Sequence, residues 1–288
     1  MRKIEGEDEG SEFNWKSLAA ILLVVIVFVI IIMFLIRSGV LIKSKSDRSA
    51  CMNSVLAQSV LMELPFGQNL IPPQCKTYNV KFSEDHVDIN DKAVSVYDLR
   101  SKDFVTKFNG LTNDIVNGVL AEELRGCWQQ YLEGRKYIID RKSWISILQT
   151  GQPRFCVLCD EVSFASNVKT EKFTGFYDFT NEKTMRNANM TYYAYYAKGQ
   201  TICTDYSPAP VNCWESYFAD QITKKNPNLT PENILFYKNT TYAVVFIMRG
   251  LKTKIDILSE SDVDFFSYVL PTSELSNQCD SIQRGPSQ

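Results

Sequence analysis

The chain has 288 residues, with 31 lysines and arginines against 33 aspartates and glutamates, and a formal net charge of -2. That near-balance excludes the clustered basic excess on which nucleic-acid binding depends. The single histidine, His86, confines every Ser-His or Cys-His mechanism to one residue of an ordinary alternating segment. No HExxH, GxSxG, GxGxxG or phosphate-loop motif occurs.

Residues 1–16 are polar and acid-rich (Glu5, Glu7, Asp8, Glu9, Glu12), which predicts a short disordered cytoplasmic tail. From Leu18 to Ile36, nineteen residues pass without a charged or polar side chain. As a helix that run is about 28 Å long, close to the ~30 Å hydrocarbon core of a bilayer. It exceeds the apolar stretch of a cleaved signal peptide and lacks a small-x-small cleavage site. Residues 17–37 are therefore expected to form an uncleaved transmembrane signal-anchor, with the lipid bilayer as partner. Flanking cations (Arg2, Lys3 and Lys16 before; Arg37, Lys43, Lys45 and Arg48 after) leave the positive-inside rule nearly silent, with a slight bias against an external C-terminus.

Beyond the anchor, Ser49 to Leu64 reads as a helix. Ser49 is its candidate N-cap, and Val55, Leu56, Val60 and Leu61 recur at helical spacing. With the linker that follows, it fills residues 38–66, and a domain over 67–288 comes next. Strand-like segments run from Lys76 to Phe82 and from His86 to Val96, with turns at SED and NDK. The clearest helix spans Thr112 to Leu132. Thr112 serves as its cap, Ile115, Val116, Val119, Leu120, Leu124, Cys127, Trp128 and Tyr131 form one apolar face, and Gly134 stops it. Further strands are expected at Lys136–Ile139, Phe155–Phe164, Thr191–Ala197, Tyr242–Met248 and Val263–Val269, with short helices at Trp214–Ile222 and Pro231–Leu235. Strands and helices mix without a βαβ rhythm, which predicts an α+β domain.

Eight cysteines, Cys51, Cys75, Cys127, Cys156, Cys159, Cys203, Cys213 and Cys279, all fall after the apolar run. An even number spread over a non-cytosolic domain reads as a disulfide framework. Sequons at Asn189, Asn228 and Asn239 in the same region are glycosylation candidates, as expected of an extracytoplasmic glycoprotein. A cytoplasmic domain with free or zinc-bound thiols remains the competing topology.

The closest pair, Cys156 and Cys159, tests these alternatives. A redox CxxC opens a helix whose N-terminus lowers a thiol pKa. Here Asp160-Glu161-Val162-Ser163-Phe164 alternates like a strand, and its acids raise a thiol pKa. Zinc needs a second half-site, and Cys203 and Cys213, ten residues apart, make an irregular one. No metal ligand and no cofactor is therefore assigned. If 155–164 is a strand, positions three apart face opposite sides, so Cys156 and Cys159 take different partners. A turn at Leu158 would instead let them close on each other. Cys203 pairs with Cys213 across a bent proline loop, and Cys51 with Cys75, stapling the first helix to the domain.

The YYAYY run places Tyr193 and Tyr195 on one strand face and Tyr192 and Tyr196 on the other. It is either a ligand or glycan surface or an ordinary tyrosine-rich strand. Asp88, Asn90 and Asp91 lack the glycine and distal glutamate of a calcium loop. Asp160-Glu161 and Asp262-Asp264 are the carboxylate pairs that a hydrolase would need.

The single anchor, Cys51, the PPQCKT segment around Cys75, the Cys127-Trp128 pair with Gly134 beyond it, and the FCVLC run together define a pattern over residues 18–165. It resembles uncharacterised single-pass membrane proteins of uncultivated small-genome archaea. The resemblance implies an archaeal cell-envelope location and lends no activity and no catalytic residue. The expectation is a membrane-anchored envelope protein whose disulfide-stapled domain binds a protein or glycan partner or serves assembly, with no catalytic residue assigned. The alternative is a tethered enzyme, either a thiol-disulfide oxidoreductase using Cys156 and Cys159 or a carboxylate hydrolase.

Overall fold

The computed structural model describes residues 22–23, 26–27, 47–62, 75–98, 103–134, 154–186, 188–198, 202–203, 211–212, 235–250 and 263–285. The chain divides into two compact units, Met1–Ser46 and Asp47–Gln288. In the first, Leu22, Leu23, Ile26 and Val27 are helical and exposed, between 45% and 64%. The rest of the Leu18–Ile36 run lies outside the described residues. Among the described residues no helix is long and apolar enough to cross a membrane.

The second unit is a mixed α+β fold held by disulfides. In chain order it holds α1 (Asp47–Met62), β1 (Tyr78–Phe82), β2 (Val87–Ile89), β3 (Lys92–Val94), β4 (Val96–Asp98), β5 (Asp103–Val105) and α2 (Asn113–Gln130). Then come β6 (Arg154–Phe164), β7 (Lys172–Phe173), α3 (Phe176–Glu182), α4 (Tyr192–Lys198), β8 (Ile202–Cys203) and β9 (Val211–Asn212). The last elements are β10 (Phe236–Tyr237), β11 (Tyr242–Gly250), β12 (Val263–Pro271), α5 (Leu275–Gln278) and β13 (Ser281–Arg284). The helix α1 begins this unit. Ser49 lies inside that helix and does not cap it. Cys51, Val55, Gln58 and Ser59 form its buried stripe, while Leu56 points outward at 47% exposure.

Seven strands form the main sheet, ordered β12-β11-β6-β1-β2-β3, with β13 also on β6. Strand β11 runs antiparallel along one edge of β6. The other edge is shared end to end by two parallel partners: β13 covers Phe155 to Leu158, and β1 covers Asp160 to Phe164. Where the shared edge changes hands, Gly285 lies so close to Cys75 that an added Cβ would sit 2.2 Å from that residue's carbonyl oxygen. Tyr242 to Met248 are all buried, as befits a strand covered on both faces.

One face of the sheet packs on α2. Thr112 caps this helix through its side-chain oxygen, which accepts from the Ile115 amide, and the whole predicted apolar face is buried. Trp128 and Tyr131 meet Phe246 at centroid distances of 5.7 and 4.8 Å. The helix ends where Leu132, Glu133 and Gly134 turn left-handed. At Gly134 (φ +69) a Cβ would also lie 2.6 Å from the Phe265 Cβ, so both conformation and space call for glycine. The opposite face buries Leu158, Val245, Ile247, Phe266 and Leu270 with Leu275 of α5.

The strand-like segment from His86 to Val96, with its turn expected at Asn90-Asp91-Lys92, is a hairpin and the start of another. Asn90 and Asp91, both with positive φ (51 and 59), form the two central residues of the β2–β3 turn. The expected strand at Thr191–Ala197 is instead helix α4. Thr191 Oγ1 accepts from the Ala194 amide at 3.2 Å, and the Tyr195 amide donates to the Thr191 carbonyl at 3.0 Å. A threonine cap thus turns the tyrosine run into a helix, overriding its strand propensity. Lys136–Ile139, Trp214–Ile222 and all of Pro231–Leu235 except Leu235, which is not helical, lie outside the described residues.

Candidate functional site

Cys156 and Cys159 do take different partners on opposite faces of the sheet. Cys159 bonds Cys127 of α2, and Cys156 bonds Cys279 at the end of α5, each with Cα atoms 5.7 Å apart. Cys51 bonds Cys75, with Cα atoms 4.5 Å apart, tying α1 to the start of the sheet. All six are buried, and among the described residues no free cysteine is found. Cys203 ends β8 and pairs with Val211 of β9, while Cys213 lies outside the described residues, as does the bond expected between them.

A bulge explains how two consecutive residues of β6 face α2. Val244 pairs with Asp160 but Val245 pairs with Leu158, so Cys159 is an extra residue in the ladder. Alternation slips there by one. Cys159 reaches the disulfide on α2, and Asp160, next in the chain, turns to the same helix.

Asp160 is fully buried, and its Oδ1 accepts from Arg48 Nη2 at 2.9 Å. The same guanidinium donates to Glu123 of α2 and stacks over the Tyr78 ring at 4.8 Å. Burial pushes the Asp160 carboxyl well above the usual carboxylate range; Arg48 opposes that rise and Glu123 reinforces it. Arg48 is driven upward: burial works against its charge, but the carboxylates of Asp160 and Glu123 outweigh it. Arg48 reaches this place through a gap at Gly126, where an added Cβ would sit 1.6 Å from its Nη1.

Glu123 also borders a cleft of about 1020 Å³. Its floor is the polar side of α2. Arg125 donates to Glu122 through Nε at 2.8 Å and through Nη2 at 2.5 Å, and reaches Gln129 at 3.2 Å. From α4, the Tyr192 hydroxyl donates to Glu122 and the Tyr195 hydroxyl to Glu133 at 2.7 Å. Both phenols are raised above their ordinary value, first by burial and then by the carboxylates they serve. Tyr196 is buried and donates to the Ala121 carbonyl at 2.7 Å. The tyrosine run therefore fastens α4 to α2, with Tyr192 and Tyr195 at the edge of the cleft.

One wall comes from β2–β3 and the β4–β5 hairpin, where Tyr97 and Phe104 face each other across the strands with centroids 5.5 Å apart. The other wall is the loop from Lys183 to Thr191, closed at its base by a Thr184–Thr191 bridge and a 3.2 Å bond from the Tyr192 amide to the Lys183 carbonyl. Met185 roots that loop in the core at 7% exposure, and Arg186 at its turn lies over Phe104 and Tyr97, 4.2 and 5.7 Å from their centroids.

The remaining candidates lie elsewhere. His86 is held between Asp85 (2.7 Å) and Asp88 (3.2 Å), away from the cleft lining. Glu161 pairs with Arg284 at 3.2 Å, so Asp160 and Glu161 do not form a working carboxylate couple. Asp262 lies outside the described residues. No group of residues suited to holding a metal occurs among the described residues. Asn189 and Asn239 are exposed, Asn239 in the turn before β11, and Asn228 lies outside the described residues. Compared with protein-family models, curated proteins and solved structures, the chain matches none.

Proposed function

We propose that this is a single-pass membrane protein of the cell envelope, with its C-terminal unit outside the cytoplasm and the cleft as its binding surface. One observation carries the membrane part. Leu22, Leu23, Ile26 and Val27 sit in helical backbone with exposed side chains, inside nineteen residues that carry no charge. Large apolar side chains on a helix of that composition find their favourable solvent in lipid. Three buried disulfides support the extracytoplasmic placement, because such bonds persist in oxidising compartments.

Binding is favoured over thiol chemistry by the arrangement of the sulfurs. Thiol exchange needs an accessible sulfur, and Cys156 and Cys159, at 0% and 1% exposure, bond separate partners. Protease shaving of intact cells tests the topology. External protease degrades the C-terminal unit on this reading. Its survival beside a digested surface control overturns the reading.

A further inference from the structure

Among the described residues of the second unit, four arginines hold carboxylate partners and one does not. Arg48 pairs with Glu123 and Asp160, Arg125 with Glu122, Arg154 with Asp280 and Arg284 with Glu161. Arg186 has no carboxylate partner among the described residues. Its guanidinium carbon lies 4.2 Å from the Phe104 ring centroid and 5.7 Å from that of Tyr97, and Lys183 three residues earlier has no acid partner among the described residues either. A guanidinium set against an aromatic ring, with no carboxylate on its N–H groups among the described residues, suits bidentate capture of a carboxylate.

The acids of the lining do not meet this demand. Glu122 is taken by Arg125 and Tyr192, Glu123 by Arg48, and Glu133 accepts from Tyr195. Glu182 is exposed, and among the described residues no ion pair joins it to Lys183 or Arg186. The same cleft is also lined by the apolar side chains of Ile89, Val119, Phe179, Met185 and Met190. Its volume of about 1020 Å³ matches the upper range of small-molecule sites.

We infer that the cleft binds a small amphipathic carboxylate, its anionic group held by Arg186 and Lys183 and its apolar body set against Phe104 and the methionine-lined interior. This rests on the reading of the cleft as a binding surface but not on membrane topology, so its failure would leave the topology standing.

The test is titration of the full chain in detergent, followed by isothermal calorimetry, with 3-phenylpropionate and decanoate as probes and 3-phenylpropanol as the neutral control. At least one carboxylate binds, and the alcohol of the same shape binds about tenfold more weakly or worse. Which acid binds better distinguishes a flat from a chain-like body. Arg186→Gln and Arg186→Lys each weaken the carboxylate by about tenfold, the lysine because it keeps the charge but loses the planar fork. Lys183→Gln weakens it by a smaller factor. Arg186 is exposed, so its variants melt with the parent protein and folding does not confound the result. Equal binding of acid and alcohol, unchanged affinity in Arg186→Gln, or no binding of either acid overturns the inference.

Discussion

Replacing Asp160 with asparagine removes one ionisable group from the interior and leaves an oxygen for Arg48 Nη2, now 2.9 Å from Oδ1. Burial holds the Asp160 carboxyl above its ordinary value, and Arg48 of α1, Glu123 of α2 and the neighbouring phenols of Tyr131 and Tyr78 are the groups that face this cluster. Between the unfolded value, about 3.9, and the raised native one, the folded protein keeps a proton that the unfolded chain releases. Stability from this group is thus complete at low pH and is lost as pH rises. The loss approaches about 1.4 kcal/mol per pH unit for one proton. For a unit of 242 residues (47 to 288) that slope lowers Tm by about 3–5 °C per pH unit. Calorimetric melts of parent and Asp160→Asn from pH 4.5 to 7.5, with disulfides intact, give the comparison. The difference between the two curves opens with rising pH, and the variant becomes the more stable near neutrality. Parallel curves would refute the buried, proton-holding Asp160.

Gly126→Ala raises helix propensity by about 1 kcal/mol, yet its Cβ takes the space of the Arg48 guanidinium. The ion cluster is then broken from one side, and equilibrium unfolding should show a net loss of about 2–4 kcal/mol. Cys51→Ser with Cys75→Ser opens a loop of 24 residues and costs about 3–4 kcal/mol, with proteolysis appearing first in α1. Tyr195→Phe removes the bond to Glu133 and costs about 1–2 kcal/mol in the same assay, because the phenol is half-buried and its partner charged.

Patterns with one strong period were readable in the sequence. The apolar face of α2 and its Thr112 cap stand as expected, because eight apolar residues at helical spacing leave no other way to bury them. The split partnership of Cys156 and Cys159 followed from reading that segment as a strand, and the staple from Cys51 to Cys75 from pairing the first helix with the loop that follows it. What failed to show was set by long-range packing. Tyr192 to Tyr196 carries strand-forming residues, and only Thr191 signalled a helix; the carboxylates that receive the tyrosines are 62 and 70 residues away. The bulge at Cys159 leaves no mark in an alternating strand, so nothing in the sequence announced that Asp160 would face the core. The cleft joins residues from four separated segments, and Arg186 stands out in it only once the acid partners of Arg48, Arg125, Arg154 and Arg284 are known.

Alkylation of the native protein before and after reduction, read by peptide mass spectrometry, tests the central claim most directly. With no reductant, Cys51, Cys75, Cys127, Cys156, Cys159 and Cys279 stay unlabelled, and linked peptides join 51 to 75, 127 to 159 and 156 to 279. Label on those six residues in unreduced, denatured material would contradict it, since a chain with free thiols there belongs in a reducing compartment.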